Sequence, residues 1–193
     1  MNVYDDIENI KSVNVRSIEI KRRLILPASA VKKLESYLKI NIDTEVLILN
    51  TNIGMEVYYA SSKDYSYLIK ESILLHTSKH IDVAKLRFRN HGSKALVYQS
   101  FCEAFLTFAQ YPQIFLAYTK KFIHLRENHV DSQYIMPILN HFFESAMRLL
   151  ASTGKVPHYE KISKTKDKSQ ESNNDENVIK NLISEILLKK HQN

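Results

Sequence analysis

The sequence contains few of the residues that interrupt helices: of its 193 residues, only three are glycine and four are proline. This shortage predicts long, uninterrupted elements that are mostly helical. Tryptophan is absent, and Cys102 is the single cysteine. A lone cysteine excludes an internal disulfide and provides too few thiols for a cysteine-ligated zinc site. Because Cys102 lies in the apolar run FCEAFL, we expect its thiol to be packed and inert.

The usual motifs for phosphate binding and hydrolysis are also missing. None of GxxxxGK[ST], GxGxxG, GxSxG, HExxH or a paired CxxC occurs. His76 and His80 are four residues apart and near Asp82, a spacing that can present two ligands to one metal. However, Thr77-Ser78 between them predicts a helix boundary, which favours surface histidines. We therefore expect a protein that is not an enzyme and that uses no cofactor or metal.

Of three further histidines, His124 and His129 flank Arg126-Glu127 across a predicted loop, and His141 lies beside Phe142 on a predicted packed helix. Their spacing favours solvated or hydrogen-bonded side chains over an acid–base set. A catalytic use of the histidines remains the least favoured of the alternatives.

Long apolar runs are absent as well. No stretch approaches the roughly 18 apolar residues of a membrane span, and the acidic start MNVYDDIENIKS has no apolar segment typical of a signal peptide. We expect a cytoplasmic location, or a nuclear one in a eukaryote.

Positive charge is abundant: 27 Lys and Arg face 21 Asp and Glu, which gives a net charge of +6. Residues 11–39 hold eight basic and two acidic residues, and residues 63–158 hold twelve and seven. Such basic stretches are typical of proteins that bind a phosphate backbone. The alternative is an ordinary solvated surface with excess lysine.

Hydrophobic periodicity divides the chain into four parts. Residues 1–62 form a basic, strand-rich module, in which 13–26 alternate like a strand, 28–39 form a short helix, and 45–50 and 55–60 form a hairpin. Residues 63–159 form a helical domain of about five helices, including one over 80–90 that ends with Gly92 as its C-cap. The expected fold class is therefore α+β, mainly α.

The remaining two parts are a tail and its helix. Residues 160–176 predict a disordered linker, and 177–190 predict an amphipathic helix. A short helix on a tether is unstable alone and must dock on its own domain, on a second copy or on a partner. Its apolar stripe makes candidate partner-binding residues of Ile179, Leu182, Ile183, Ile186 and Leu187.

Basic side chains on rigid elements give the clearest functional pattern, because lysine and arginine there suit phosphate contact and arginine can also recognise base edges. The candidate nucleic-acid-binding residues are Arg16, Lys21, Arg22, Arg23, Lys32, Lys33, Lys85, Arg87 and Arg89.

Two segments are similar to known families. Residues 16–60, with Arg23-Leu24-Ile25-Leu26-Pro27 before a short helix and Gly54 in a hairpin, resemble AbrB-type swapped-hairpin DNA-binding domains. That resemblance implies an intertwined dimer that binds DNA through basic residues. Residues 101–122 are similar in texture to the ligand-domain helices of TetR-type regulators, which implies regulation.

These observations predict a dimeric DNA-binding regulatory protein. Its basic N-terminal module would contact phosphates, and its helical domain would serve dimerisation or ligand sensing. The alternative is a non-catalytic adaptor or structural subunit of a larger assembly, with a viral or phage assembly as one option, that binds its partner through the helix 177–190.

Overall fold

A computed structural model describes residues 9–18, 24–77, 81–153, 156–158 and 162. The chain divides into two compact units, Met1–Pro157 and His158–Asn193. All the strands and α-helices below belong to the first unit, so the boundary expected after residue 62 falls inside it. In the second unit, the N–H of Ile162 donates to the carbonyl of His158 at 3.1 Å.

The first unit contains four strands, five α-helices and one 3₁₀ turn in its described residues. In chain order they are β1 (Ile10–Ser17), α1 (Ala28–Ile42), β2 (Val46–Asn50), β3 (Met55–Ala60), α2 (Ser66–His76), the turn Val83–Lys85, β4 (Leu86–His91), α3 (Lys94–Ala109), α4 (Pro112–Asn128) and α5 (Ile135–Ser152). The α+β, mainly α class predicted from the sequence is confirmed.

The four strands form one antiparallel sheet in the order β2-β3-β1-β4. Alternate residues of a strand point to opposite faces. Val13 and Val15 of β1 therefore face α1 and α2, where they join a core with Leu34, Leu38 and Ile69. Helices α3, α4 and α5 pack against the other face. The sheet is thus the middle layer of this unit.

The helical layer on that second face is held together by aromatic rings. Phe105 lies 4.9 Å from Phe115 and 5.5 Å from Phe143 between ring centroids, and Phe122 stacks on Phe143 at 4.7 Å. Offset and edge-to-face pairs of this kind add about 0.5–1.5 kcal/mol each beyond area burial. The sequence predicted a helical domain over this region, and these buried rings form its core.

The hairpin β2–β3 and the helix α1 were also predicted, and both are confirmed. Asp43 ends α1 in the left-handed conformation with φ 57°, and its N–H donates to the carbonyl of Lys39 at 3.0 Å. At the hairpin, Gly54 lies against β1: a Cβ there would stand 2.6 Å from the Val15 carbonyl oxygen. Only glycine permits that approach without displacement of the backbone.

Two sequence predictions were wrong. The helix expected over 80–90 is a 3₁₀ turn followed by β4, so Gly92 follows a strand and caps no helix. The physical reason is visible in the pattern, because buried Leu86 and half-buried Phe88 alternate with exposed Arg87 and Arg89. This period of two suits a strand, and β4 completes the sheet by pairing with β1.

The strand expected over 13–26 is also shorter and earlier than predicted. It begins at Ile10 and ends at Ser17. Ile18 and Leu24, which the alternation placed inside this strand, lie beyond its end and are 58% and 43% exposed. Val13 and Val15 are buried in the strand and face α1 and α2.

Candidate functional sites

A cleft opens beside the edge strand β2, between α1 and α4, and we call it the basic cleft. Its volume is about 580 Å³, within the range of small-molecule sites. Its basic side chains are Lys32, Lys39, Lys121, His124 and His129, and Glu35 is its one carboxylate. Apolar side chains, among them Val31, Ile48 and Leu125, complete the walls.

The two helices supply these groups from opposite sides. Lys32, Glu35 and Lys39 recur on α1 at spacings of three and four residues, which places them on one helical face. Lys121 and His124 are three residues apart on α4. The cleft is therefore lined by cations on both walls.

His129, just after α4, links that helix to α1. Its Nε2 donates to Glu35 Oε1 at 2.9 Å, and its Nδ1 donates to the carbonyl of Leu125 at 2.9 Å. A carbonyl oxygen and an ionised carboxylate both act as acceptors, so with Glu35 ionised both ring nitrogens carry a proton. This geometry favours the imidazolium form.

The pKa values of the pair agree with that assignment. The hydrogen bond to Glu35 raises the pKa of His129 above its ordinary value, against the opposing effect of burial. Burial pushes the pKa of Glu35 upward, but hydrogen bonds from His129 and from Lys39, whose Nζ lies 2.7 Å from Oε1, bring it below its ordinary value. Glu35 is thus already neutralised by two cations.

A second basic feature lies at the opposite edge of the sheet, and we call it the arginine edge: Arg16, Arg87 and Arg89. Arg16 of β1 stands directly opposite Arg87 of β4, and Arg89 follows two residues later. Directly opposed residues and residues two apart share a face of the sheet. All three are exposed, so the register brings three guanidinium groups to one surface.

The neighbours of the arginine edge hold parts of it in place. The Arg16 guanidinium lies 5.5 Å from the centroid of the Phe108 ring, which is cation–π range. Arg87 Nη1 donates to the carbonyl oxygens of Ala84 and Leu86 at 2.9 and 3.2 Å. Lys85, predicted with this group, is 3.5 Å from Asp82 Oδ2 in an exposed ion pair.

The predicted nucleic-acid residues are therefore divided by the fold. Arg16, Arg87 and Arg89 come together at β1 and β4. Lys32 and Lys33 lie on α1, and Lys32 lines the basic cleft beside β2 at the other edge. Lys21, Arg22 and Arg23 lie outside the described residues.

The predicted partner-binding residues of the C-terminal helix, namely Ile179, Leu182, Ile183, Ile186 and Leu187, also lie outside the described residues. The linker 160–176 does so as well, apart from Ile162. The adaptor alternative that depends on this segment stays a prediction.

A buried polar cluster between the sheet and α4 was missed by sequence reasoning. The hydroxyls of Tyr58 and Tyr118 donate to Glu56 Oε2 at 2.6 and 3.0 Å. Burial raises the pKa of the Glu56 carboxyl, although both tyrosines and the charge of Arg16 oppose the rise. Because the Glu56 carboxyl of β3 accepts a hydrogen bond from Tyr118 of α4, we interpret it as a structural contact between that strand and that helix.

The residues that the sequence offered as a nucleophile or as metal ligands do not form a site within the described residues. Cys102 is half-buried, and burial raises the pKa of its thiol against the effect of a hydrogen bond with Tyr98, which makes its reactive thiolate scarcer. His80 lies outside the described residues, and His76 Nδ1 donates to the carbonyl of Ser72 at 2.7 Å. Within the described part of the chain, no group of three or more His, Cys, Asp or Glu side chains could hold a metal ion.

The loop expected between His124 and His129 was wrong, because α4 continues to Asn128. Of the basic cleft, only Lys32 was among the predicted site residues. Glu35 and His129 are 94 positions apart, and no local pattern connects them. The adjacent Lys120 and Lys121, followed by Arg126, are the sequence signal that could have indicated a basic surface on α4.

Among the helices that the structure describes, none is both long enough and apolar enough to cross a membrane. No known protein-family model matches the chain, and a search of curated proteins finds no match either.

Proposed function

We propose that this chain is a non-catalytic, DNA-binding regulatory protein that contacts phosphates through the arginine edge. The observation that carries the proposal is the register of β1 and β4, which sets Arg16 opposite Arg87 and places exposed Arg89 on the same face. Guanidinium groups held on a rigid strand suit phosphate oxygens, which they can contact in bidentate fashion.

The local charge balance supports this use. Lys94 lies at the start of α3, just beyond β4, and adds to the positive charge of that region. The nearby carboxylates in the described residues include Glu103, whose charge acts on His91 of β4, Asp82, which pairs with Lys85, and buried Glu56, whose carboxyl interacts with the charge of Arg16. The three arginines together with Lys85 and Lys94 make five positive groups against these three carboxylates, and an edge strand bearing charge also resists pairing with other strands.

The rest of the proposal follows from the sequence. The resemblance of residues 16–60 to AbrB-type domains implies that the DNA-binding form is a dimer. The helical domain would serve dimerisation or ligand sensing. Sedimentation analysis of the purified protein measures the dimer directly, and a monomer at the concentrations that bind DNA would remove it from the proposal.

The test of DNA binding is a titration of labelled random-sequence duplex DNA at low and moderate salt. Each neutralised phosphate contributes about 0.9 to the slope of log affinity against log salt. We expect micromolar, salt-sensitive binding, and we expect the double variant Arg87→Glu/Arg89→Glu to lose about two units of slope and at least tenfold in affinity.

The matched control is Lys120→Glu/Arg148→Glu, which reverses two exposed charges on α4 and α5. These helices pack over β2 and β3, toward the edge of the sheet that is opposite β4. Circular dichroism establishes that both variants are folded. An equal loss of affinity in both variants would show attraction to net charge alone and would contradict the arginine edge as the binding surface.

A further inference from the structure

The basic cleft offers a second site, distinct from the arginine edge in both place and shape. It is concave where the arginine edge is a row on a sheet, and it lies beside β2 rather than β4. Strands of a sheet are about 4.8 Å apart, so the two edges are separated by about 14 Å across three strand intervals.

The charges of the cleft are arranged to hold an anion between two walls. On one side Lys32 and Lys39 extend from α1, and on the other side Lys121 extends from α4. His129 adds a fourth positive charge in its imidazolium form, which its hydrogen bonds with the Leu125 carbonyl and the Glu35 carboxylate favour. Glu35 is the single opposing carboxylate, so the lining has four positive groups against one negative group.

Two of those lysines are available to a ligand. Lys39 and His129 already hold Glu35, whereas Lys32 and Lys121 are exposed and have no hydrogen bond or ion pair within the described part of the chain. Lysine ammonium groups bind phosphate as point charges. A phosphate monoester carries about −1.5 to −2 charge near pH 7, which suits a pair of free lysines on facing helices.

The walls also contain apolar surface. Val31 and Leu125 on the two helices and Ile48 on β2 contribute to the lining. A bare inorganic anion would leave this surface and most of a 580 Å³ volume unused. A ligand with both a phosphate and an apolar body would use the cations and the apolar walls together.

We propose that the basic cleft binds a small phosphate monoester with an apolar or planar body, with Lys32 and Lys121 as its phosphate ligands. This inference does not depend on DNA binding by the arginine edge. It gives the protein a ligand-binding site built from both its N-terminal elements and its helical layer.

The experiment uses the full chain and isothermal titration with phenyl phosphate, supported by thermal melting. Phenol carries the same body without the anion, and inorganic phosphate carries the anion without the body. We expect saturable binding of phenyl phosphate that raises the melting temperature, no binding of phenol, and at least tenfold weaker binding of inorganic phosphate.

The variants locate the site. Lys32→Gln/Lys121→Gln should weaken phenyl phosphate binding at least tenfold, whereas Lys33→Gln/Lys120→Gln should leave it within twofold. Lys33 and Lys120 are exposed neighbours on the same helices and do not line the cleft. All four substitutions lie at exposed positions, so unchanged melting of the unliganded variants is expected.

Three outcomes would overturn the proposal. The first is the absence of phenyl phosphate binding up to millimolar concentration, which would remove the site. Equal weakening by both double variants would indicate attraction to general surface charge. Equal affinity for inorganic phosphate would show that the apolar walls take no part and that the ligand class is wrong.

Discussion

At the scale of single residues, His129 combines a structural contact with a positive charge that Glu35 stabilises. Its pKa is raised, so its contribution to stability is complete below the unfolded value of about 6.5 and is lost as pH rises through the folded value. The pKa of Glu35 is lowered, so its contribution is present above about 4.3 and is lost as pH falls through its folded value. The pair therefore stabilises most between about pH 4.3 and 6.5.

Replacement of His129 by Gln should remove the stabilisation that the pair provides in this pH range. We expect the free energy of unfolding to fall by about 1 kcal/mol between pH 4.3 and 6.5, with the difference shrinking at higher pH. Urea denaturation of the two proteins across pH 4 to 9 measures it. The control His141→Gln changes an exposed histidine on α5 and should stay within about 0.5 kcal/mol. A pH-independent loss in the His129 variant would contradict the ion pair.

At the scale of elements, the hairpin β2–β3 depends on Gly54. A Cβ at this position would stand 2.6 Å from the Val15 carbonyl oxygen and 2.8 Å from Arg16 Cγ. The first of these atoms is backbone and can move only with β1. We therefore expect Gly54→Ala to lower the free energy of unfolding by about 1–3 kcal/mol.

The chain supplies its own control for that change. A Cβ at Gly92 meets no atom within 4 Å, so Gly92→Ala should be close to neutral. The melting temperatures of both variants distinguish a steric clash at Gly54 from a general effect of replacing glycine. An unchanged melting temperature for Gly54→Ala would mean that β1 can shift away from the added Cβ without loss of stability.

Helices and strands were predictable from the sequence where the apolar residues recur with a single period, either helical or alternating. Phe101, Phe105 and Phe108 of α3 recur at helical spacing, and all three are buried. The segment of β4 instead has two competing patterns. Val83 to Arg89 lies between segments with helical periodicity, while Leu86 and Phe88 alternate with arginines as in a strand. The segment forms a strand because β1 has an edge with free backbone hydrogen-bonding groups, which only another strand can pair with.

The sites were less predictable because they depend on contacts between distant positions. Arg16 and Arg87 were both predicted as phosphate ligands, yet their opposition across two strands follows from a register of residues 71 positions apart. The cleft was missed because His129 and Glu35 meet only when α4 packs beside α1. A local sequence pattern gives no information about a contact between residues so far apart in the chain.

At the scale of the whole molecule, the basic cleft and the arginine edge should act independently unless a conformational change couples them. Residues more than about 7–10 Å apart with no shared partner usually have additive effects, and about 14 Å separates the two edges. We expect Lys32→Gln/Lys121→Gln to leave DNA affinity within twofold, and Arg87→Glu/Arg89→Glu to leave phenyl phosphate affinity within twofold. Titration of each ligand against both variants measures this.

Saturation with phenyl phosphate provides the complementary measurement. If the two sites are independent, DNA affinity at fixed ionic strength will be the same with and without the ligand. A shift of fivefold or more would contradict independence and would establish a coupling free energy of about 1 kcal/mol between the sites.

The central position of β1 also affects how the chain is made. β1 precedes the other described strands along the chain, but one of its two partners, β4, ends at His91. During synthesis from the N-terminus, that side of β1 stays unpaired until more than 70 further residues have left the ribosome. Unpaired strand edges invite association with other chains. The nascent chain should therefore need a chaperone or rapid elongation most between the completion of the hairpin β2–β3 and the arrival of β4.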